Sequence, residues 1–197
     1  MELENKLDPI ELFQKWFSEA KEKEPSDPNA MQLATVSKNG YPSVRTVLLK
    51  DIIKNDFIFY TNYESRKGTE IMETGKAAIC FYWKSLNRQV RIVGKIKKVT
   101  VEISDKYFQS RSLGSRAGAW ASLQSKPLKN REHLENRVKK IKNQFGNEIP
   151  RPDHWGGFKI MPKEIEFWKD GSFRLHDRFL LKPTSKSNLW KSQRLYP

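Results

Sequence analysis

Apolar residues recur at helical spacing near the start of the chain, where Ile10, Phe13, Phe17 and Ala20 share a face beside Leu12 and Trp16. The spacing predicts a helix from about Asp8 to Glu24, capped by Asp8 and with Pro9 in its first turn. Pro25 and the Ser26-Asp27-Pro28-Asn29 cluster end it. The pattern then becomes extended, predicting strands over Met31 to Ser37, Ser43 to Leu49, Asp56 to Thr61 and Ala77 to Trp83, with Asn39-Gly40 as a hairpin turn. Between the last two strands a short helix is expected, with Ser65 as cap and Gly75 just past its end, which puts Arg66 and Lys67 in its first turn.

From Arg88 to Val99 the alternation is clear. Val90, Ile92 and Ile96 fall on one face, and Gln89, Arg91, Lys95 and Lys97 on the other, as in a half-exposed strand. Ser104 to Ala121 reads as a helix interrupted by Gly114 and Gly118, and Arg131 to Phe145 as a highly charged helix before Pro150-Arg-Pro152. Short aromatic-rich strands are expected at Gly157 to Met161, Glu164 to Trp168, Phe173 to Leu181 and Leu189 to Leu195. Many strands in mostly antiparallel succession with a few peripheral helices predict a mainly β, α+β fold: a small barrel or strongly bent sheet that hides its edges. Helices and strands do not alternate as a doubly wound sheet requires. No repeat or linker divides the chain, so residues 1–197 are expected to form one domain.

Composition sharpens this picture in three ways. Apolar residues at 37% and charged residues at 30% mark a globular chain, and no apolar run approaches the ~20 residues of a membrane span. The charged N-terminus lacks the apolar stretch of a secretory signal, so a cytoplasmic protein is expected. Cys80 is the single cysteine, which excludes an internal disulfide or a cysteine zinc cluster, and its apolar neighbours predict a buried small side chain. With three histidines besides, no metal site is predicted. The net charge of +14 favours anionic partners without choosing between phosphate esters and nucleic acid.

Nucleotide-binding and hydrolase fingerprints such as GxGxxG, the Walker loop, HExxH and GxSxG are absent. Basic residues at strand ends and helix starts stand out instead. Arg45-Thr46-Val47-Leu48-Leu49-Lys50 taken alone reads best as a core strand with charged ends. Arg66 and Lys67 sit where free backbone N–H groups and a positive dipole end favour a phosphate, although ordinary surface would look the same. Tyr107, Arg111 and Ser115 stand at i, i+4 and i+8; a phosphate clamp and a mixed solvent-facing stripe fit that spacing equally well. Strand alternation puts Arg174, His176 and Arg178 on one face, an unfavourable cluster of cations unless an anionic or electron-rich ligand lies opposite.

These segments, together with Tyr60-Thr61, Ser65-Arg66-Lys67, Arg88-Gln89-Val90, Gly118-Ala119-Trp120, Gln124-Ser125, Trp155-Gly156-Gly157-Phe158 and Glu166-Phe167-Trp168, resemble the pyridoxine 5'-phosphate oxidase family. The resemblance runs from about Asp8 to Pro197. It implies an FMN-binding split β-barrel working as a homodimer, with two flavin sites at the subunit interface. It also implies FMN contacts from Arg45 to Lys50, Tyr60, Thr61, Arg66, Lys67, Gln89, Gln124, Ser125, Trp168 and Arg178. Substrate contacts would come from Lys50, Tyr107, Arg111, Ser115, Arg174 and His176, with Arg174 and His176 as the catalytic pair. The implied reaction oxidises pyridoxine 5'-phosphate or pyridoxamine 5'-phosphate to pyridoxal 5'-phosphate, with oxygen as acceptor and hydrogen peroxide as product. The chain begins almost directly at the first helix, without the longer basic lead segment that members of the family often carry, and Ser112-Leu113-Gly114 is a local variation. Three rivals stand beside this reading: a split-barrel flavin oxidase acting on another aromatic metabolite, an FMN carrier without catalysis, and a basic nucleic-acid-binding barrel. The last has no need for the Tyr107/Arg111/Ser115 and Arg174/His176 sets.

Overall fold

A computed structural model describes residues 8–185 and 189–197. The first helix, α1 (Pro9–Lys23), begins where Asp8 accepts a hydrogen bond from the Ile10 N–H at 2.7 Å. Its inward face carries Phe13, whose ring lies 4.9 Å from Phe57, 5.0 Å from Phe81 and 5.9 Å from Trp83. One helical face thus anchors to two strands through aromatic edge and tilted contacts, each stabilising by about 0.5–1.5 kcal/mol beyond area burial.

The strands are β1 (Ala30–Val36), β2 (Pro42–Leu48), β3 (Asp51–Ile53), β4 (Asp56–Asn62), β5 (Lys76–Trp83), β6 (Arg88–Lys98), β7 (Trp155–Lys169), β8 (Asp177–Pro183) and β9 (Trp190–Leu195). All pairings are antiparallel, in the order β2-β1-β5-β6-β7-β4-β3, with β8 joining β7 and β9 joining β8. The sheet branches at β7: its first half pairs with β4, its second half with β8, and β6 runs along the other side. This branching splits and curls the sheet, matching the expected mainly β split barrel.

Opposite the branch point the β6–β7 register shifts between Val93 and Gly94, so Val93 faces Glu164 while Gly94 faces Pro162. Such a bulge bends a strand. Gly94 is required there, because a Cβ would stand 2.2 Å from the Met161 carbonyl oxygen. Elsewhere β6 alternates as expected, with Val90, Ile92 and Ile96 buried and Arg91 and Lys95 exposed. The β1–β2 turn likewise forms at Asn39-Gly40, where Gly40 takes a φ of 84°.

Several expectations need correction. The helix expected over Ser104 to Ala121 is two helices, α3 (Val101–Gln109) and α4 (Leu113–Ala121), and both glycines lie inside the second. The break falls earlier, where the Ser112 side chain caps α4 by accepting from the Ser115 N–H. Gly157 to Met161 and Glu164 to Trp168 are parts of the single 15-residue β7, since the bulge lets the strand pass Pro162. The short β3 was not anticipated. Phe173 to Leu181 is a strand only from Asp177. Before it lies a 3-10 turn (Ser172–Arg174) in which Phe173 and Arg174 have φ of 57° and 64°, so the alternation that put Arg174 on a face with His176 and Arg178 does not apply. Cys80 is half-buried rather than buried.

Two further helices complete the fold. α2 (Arg66–Thr74) is capped at one end by Ser65, which accepts from Gly68 N–H, and closed at the other by Gly75 at φ 62°. α5 (Arg131–Phe145) lies against α4 with no fully buried residue, in keeping with its charged sequence.

Candidate active site

A cleft of about 840 Å³ opens where β2, β4, the start of α2 and the α3–α4 junction converge. β2 and the residues after it contribute Arg45, Thr46, Val47, Leu48 and Lys50, and β4 contributes Tyr60, Thr61 and Asn62. From α2 comes Lys67. Tyr107, Arg111, Ser112 and Ser115 line the cleft at the helix junction, with Gln124 and Trp155 completing the wall. Strand alternation and helix starts thus bring distant segments to one cationic hollow.

One end of the cleft is organised around Lys67. Its ammonium donates to Gln124 Oε1 at 2.9 Å, Ser65 Oγ at 3.2 Å and Thr61 Oγ1 at 3.3 Å. Burial, and then the neighbouring charge of Arg45, push this ammonium down to about 8. Close by, the Arg66 N–H donates to Ser125 Oγ at 3.2 Å, and the Arg66 Nε donates to Glu70 at 2.9 Å. Arg45 is held by Leu33 O at 3.1 Å, Thr35 Oγ1 at 2.5 Å and Ser43 Oγ at 2.6 Å. Two cations at a helix start and a third from β2 thus gather around one carboxylate, an arrangement whose charge and free helix-start N–H groups suit a phosphate.

Aromatic rings and a second cation shape the other end. Tyr60 and Tyr107 stack with centroids 3.8 Å apart, and the Arg111 guanidinium lies 4.5 Å over Trp155. Burial, helped by Tyr107, raises Tyr60 to about 12, so its hydroxyl stays protonated. Burial also lowers the pKa of Arg111, whose Nη1 is enclosed without any hydrogen-bond partner among the described residues. An enclosed, unsatisfied guanidinium N–H is costly and is resolved by an incoming anion. Ser112 and Ser115, with hydroxyls 2.9 Å apart at the start of α4, stand beside it.

Gln89, Trp168, His176 and Arg178 form a separate cluster. Gln89, Trp168 and Arg178 are cross-strand neighbours on β6, β7 and β8. His176 packs its ring 4.8 Å from Trp168 and sets Nδ1 3.0 Å from Asp170. Arg178 donates to Glu166 at 2.9 Å and to the Tyr196 carbonyl at 3.0 Å, while Arg91 holds the other Glu166 oxygen. Burial raises the Glu166 pKa, but hydrogen bonds from Arg178 and Arg91 outweigh it and hold the carboxyl below its usual range. Within one chain none of Arg66, Gln89, Ser125, Trp168, Arg174, His176 or Arg178 lines the cleft, although Arg66 and Ser125 meet next to Lys67 and Gln124, which do, and Leu49 points into the core. Sequence reasoning missed Asn62, Ser112, Trp155 and the two buried glutamates. Glu70 did leave a signal, standing four residues after Arg66 on the same helix.

The curled, branched sheet is that of an FMN-binding split-barrel protein. Residues 17–145 match the family described as pyridoxamine 5'-phosphate oxidase, and residues 155–197 match the pyridoxine 5'-phosphate oxidase C-terminal dimerisation region. The chain belongs to the pyridoxamine 5'-phosphate oxidase family. It is 52% identical to a pyridoxine/pyridoxamine 5'-phosphate oxidase of Allorhizobium ampelinum over 96% of this chain and 93% of that one. A Rhizobium leguminosarum bv. trifolii protein of the same description matches to the same degree and coverage. Among solved structures, PhzG from Burkholderia lata 383, in complex with tetrahydrophenazine-1-carboxylic acid, superimposes with a TM-score of 0.89 at 34% identity, covering 96% and 93% of the two chains. A pyridoxamine 5'-phosphate oxidase-related, FMN binding protein from Nostoc punctiforme shares the fold over the full length of both chains, with a TM-score of 0.79 at 19% identity.

Proposed function

We propose that this protein is an FMN-dependent oxidase that converts pyridoxine 5'-phosphate or pyridoxamine 5'-phosphate to pyridoxal 5'-phosphate, using oxygen and releasing hydrogen peroxide. The observation that carries the reading is a single cleft with a cation at each of two ends, Lys67 at one and Arg111 at the other. Two phosphate esters, the flavin's and the substrate's, need two such ends. FMN held there would supply the hydride acceptor and the route by which the electrons reach oxygen.

The chain's own residues bind and orient. Arg45, Arg66 and Lys67, with Gln124 and Ser125, hold the flavin phosphate, and the segment from Thr46 to Lys50 with Tyr60 and Thr61 lies along the rest of the cofactor. Tyr107, Arg111 and Ser115 clamp the substrate phosphate, and Lys50 stands between the two ligands. Charge-assisted hydrogen bonds of about 1.5–3 kcal/mol each make three or four of them comparable with the roughly 8 kcal/mol of micromolar binding, before ordering costs.

The active form is a homodimer in which Gln89, Trp168, Arg174, His176 and Arg178 reach the cleft from a second copy. Support comes from the match to a dimerisation region over residues 155–197 and from the separation of this cluster from the cleft within one chain. Arg174 and His176 then hold the pyridine ring against the flavin and stabilise charge developing at the substrate oxygen or amine. Among the described residues no helix is long and apolar enough to cross a membrane, and a cytoplasmic location is part of the proposal.

The test is to record the visible spectrum of the purified protein, then add pyridoxine 5'-phosphate in air and follow peroxide and pyridoxal 5'-phosphate together. A colourless protein that fails to take up added FMN sinks the reading. The similarity to PhzG favours one alternative, oxidation of a non-phosphorylated aromatic acid. Turnover of tetrahydrophenazine-1-carboxylic acid without turnover of pyridoxine 5'-phosphate would establish it.

A further inference from the structure

Arg45 and Arg66 come from different elements, and the Arg66 side chain is 61% exposed, so neither position explains how two long side chains keep a fixed spacing. Glu70 links them. Its carboxylate, on a side chain only 5% exposed, accepts from Arg66 Nε through one oxygen and pairs with Arg45 Nη2 at 3.5 Å through the other. Two hydroxyls complete the connection. Thr35 and Ser43 are cross-strand neighbours on β1 and β2, and each accepts from Arg45 while donating to Glu70 Oε2, the Ser43 bond measuring 2.6 Å.

Burying a carboxylate in a wall is unfavourable unless its lone pairs are engaged, and here they are engaged by Arg66 directly and by two hydroxyls that in turn accept from Arg45. Glu70 itself does not line the cleft. Its influence therefore passes through the guanidinium groups that it fixes, and not through contact with a ligand.

We propose that Glu70 is a positioning residue for the cofactor phosphate, holding the Arg45 and Arg66 guanidinium groups in the spacing that the phosphate requires. This rests on the reading that Arg45, Arg66 and Lys67 cradle the flavin phosphate. Because riboflavin has the same ring system without the phosphate, the two flavins separate a positioning effect from general damage. The isosteric change Glu70→Gln keeps the side chain's shape but removes its charge and replaces one acceptor oxygen with a donor, so it can no longer both attract the two guanidinium groups and accept on both sides.

The experiment titrates flavin-stripped full-length protein with FMN and with riboflavin, following flavin fluorescence, for wild type and Glu70→Gln. Wild type is expected to prefer FMN strongly. Glu70→Gln is expected to bind FMN about tenfold to a hundredfold more weakly while riboflavin affinity stays within about twofold. An unchanged ratio of the two affinities in the variant overturns the proposal, and so does an equal loss of both, which marks a structural role only. If wild type itself shows no preference for FMN, the phosphate cradle is wrong, and the inference fails with it for that separate reason. Should Glu70→Gln not fold, Ser43→Ala removes one relay hydroxyl. The same selective loss, reduced to about threefold, is then expected, and an unchanged ratio again overturns the proposal.

Discussion

The Lys67 ammonium donates to the side-chain oxygen of Gln124 at 2.9 Å, tying the first turn of α2 to the loop after α4. Both residues face the cleft, so the contact that closes one end of the pocket also joins two segments far apart in the chain.

Lys67 makes flavin affinity depend on pH. Its ammonium is depressed to about 8 in the ligand-free cleft, and a bound phosphate dianion favours the charged form, so binding takes up a proton once Lys67 has begun to lose its own. FMN affinity is therefore expected to fall as pH rises from about 7 to about 9.5, while riboflavin affinity stays flat. Fluorescence titrations across that range check it; parallel curves for both flavins would refute it.

Arg111 should act on the substrate and not on the flavin. On the proposed reading its Nη1, without a partner among the described residues, would give the substrate phosphate one charge-assisted hydrogen bond, a loss of about 1.5–3 kcal/mol on removal. Arg111→Ala is expected to raise KM for pyridoxine 5'-phosphate by roughly tenfold to a hundredfold, with FMN content unchanged. Steady-state kinetics alongside the absorbance ratio of flavin to protein decide the matter.

A shared site predicts complementation. Lys67→Ala damages the cleft of its own chain, whereas Arg174→Ala damages the cleft of the other copy. A mixed dimer then holds one doubly damaged and one intact site. Mixing two nearly inactive variants under exchange conditions should restore about a quarter of wild-type activity, since roughly half the dimers are mixed and half their sites intact. No recovery after verified exchange would place both residues in the same chain's site.

The buried glutamates predict an acid limit to stability. Burial pushes Glu70 up, but hydrogen bonds from Ser43, Thr35 and Arg66 prevail and hold it at about 2. A carboxyl depressed on folding adds stability above its unfolded value near 4.3, and that stability drains as pH falls toward the folded value. Urea midpoints should drop between about pH 4.5 and pH 2, and Glu70→Gln should flatten part of that slope while lowering the neutral-pH midpoint.

Much of this molecule is legible in the residue pattern because local rules and tertiary packing agree there. α1, the Asn39-Gly40 hairpin, the alternation of β6 and the Ser65 cap ahead of Arg66 and Lys67 all follow from spacing and capping chemistry. The departures have local physical causes. Helix weakening by Gly114 and Gly118 lost to the Ser112 cap, which set the break ahead of both. No alternation rule anticipates Phe173 and Arg174 in succession at positive φ. Tyr107, Arg111 and Ser115 do meet at the cleft, but across a helix junction and not along one helical face. The Arg174 to Arg178 cluster stays apart from the cleft because the sheet carries β8 off the far half of β7.

That placement gives β7 an unusual burden. Trp155 at its beginning walls one cleft, while Trp168 near its end belongs to the cluster assigned to the neighbouring copy. On the shared-site reading one ribbon of each chain thus reaches two reaction centres, and a change that alters its path at the bulge before Pro162 is expected to be felt in both.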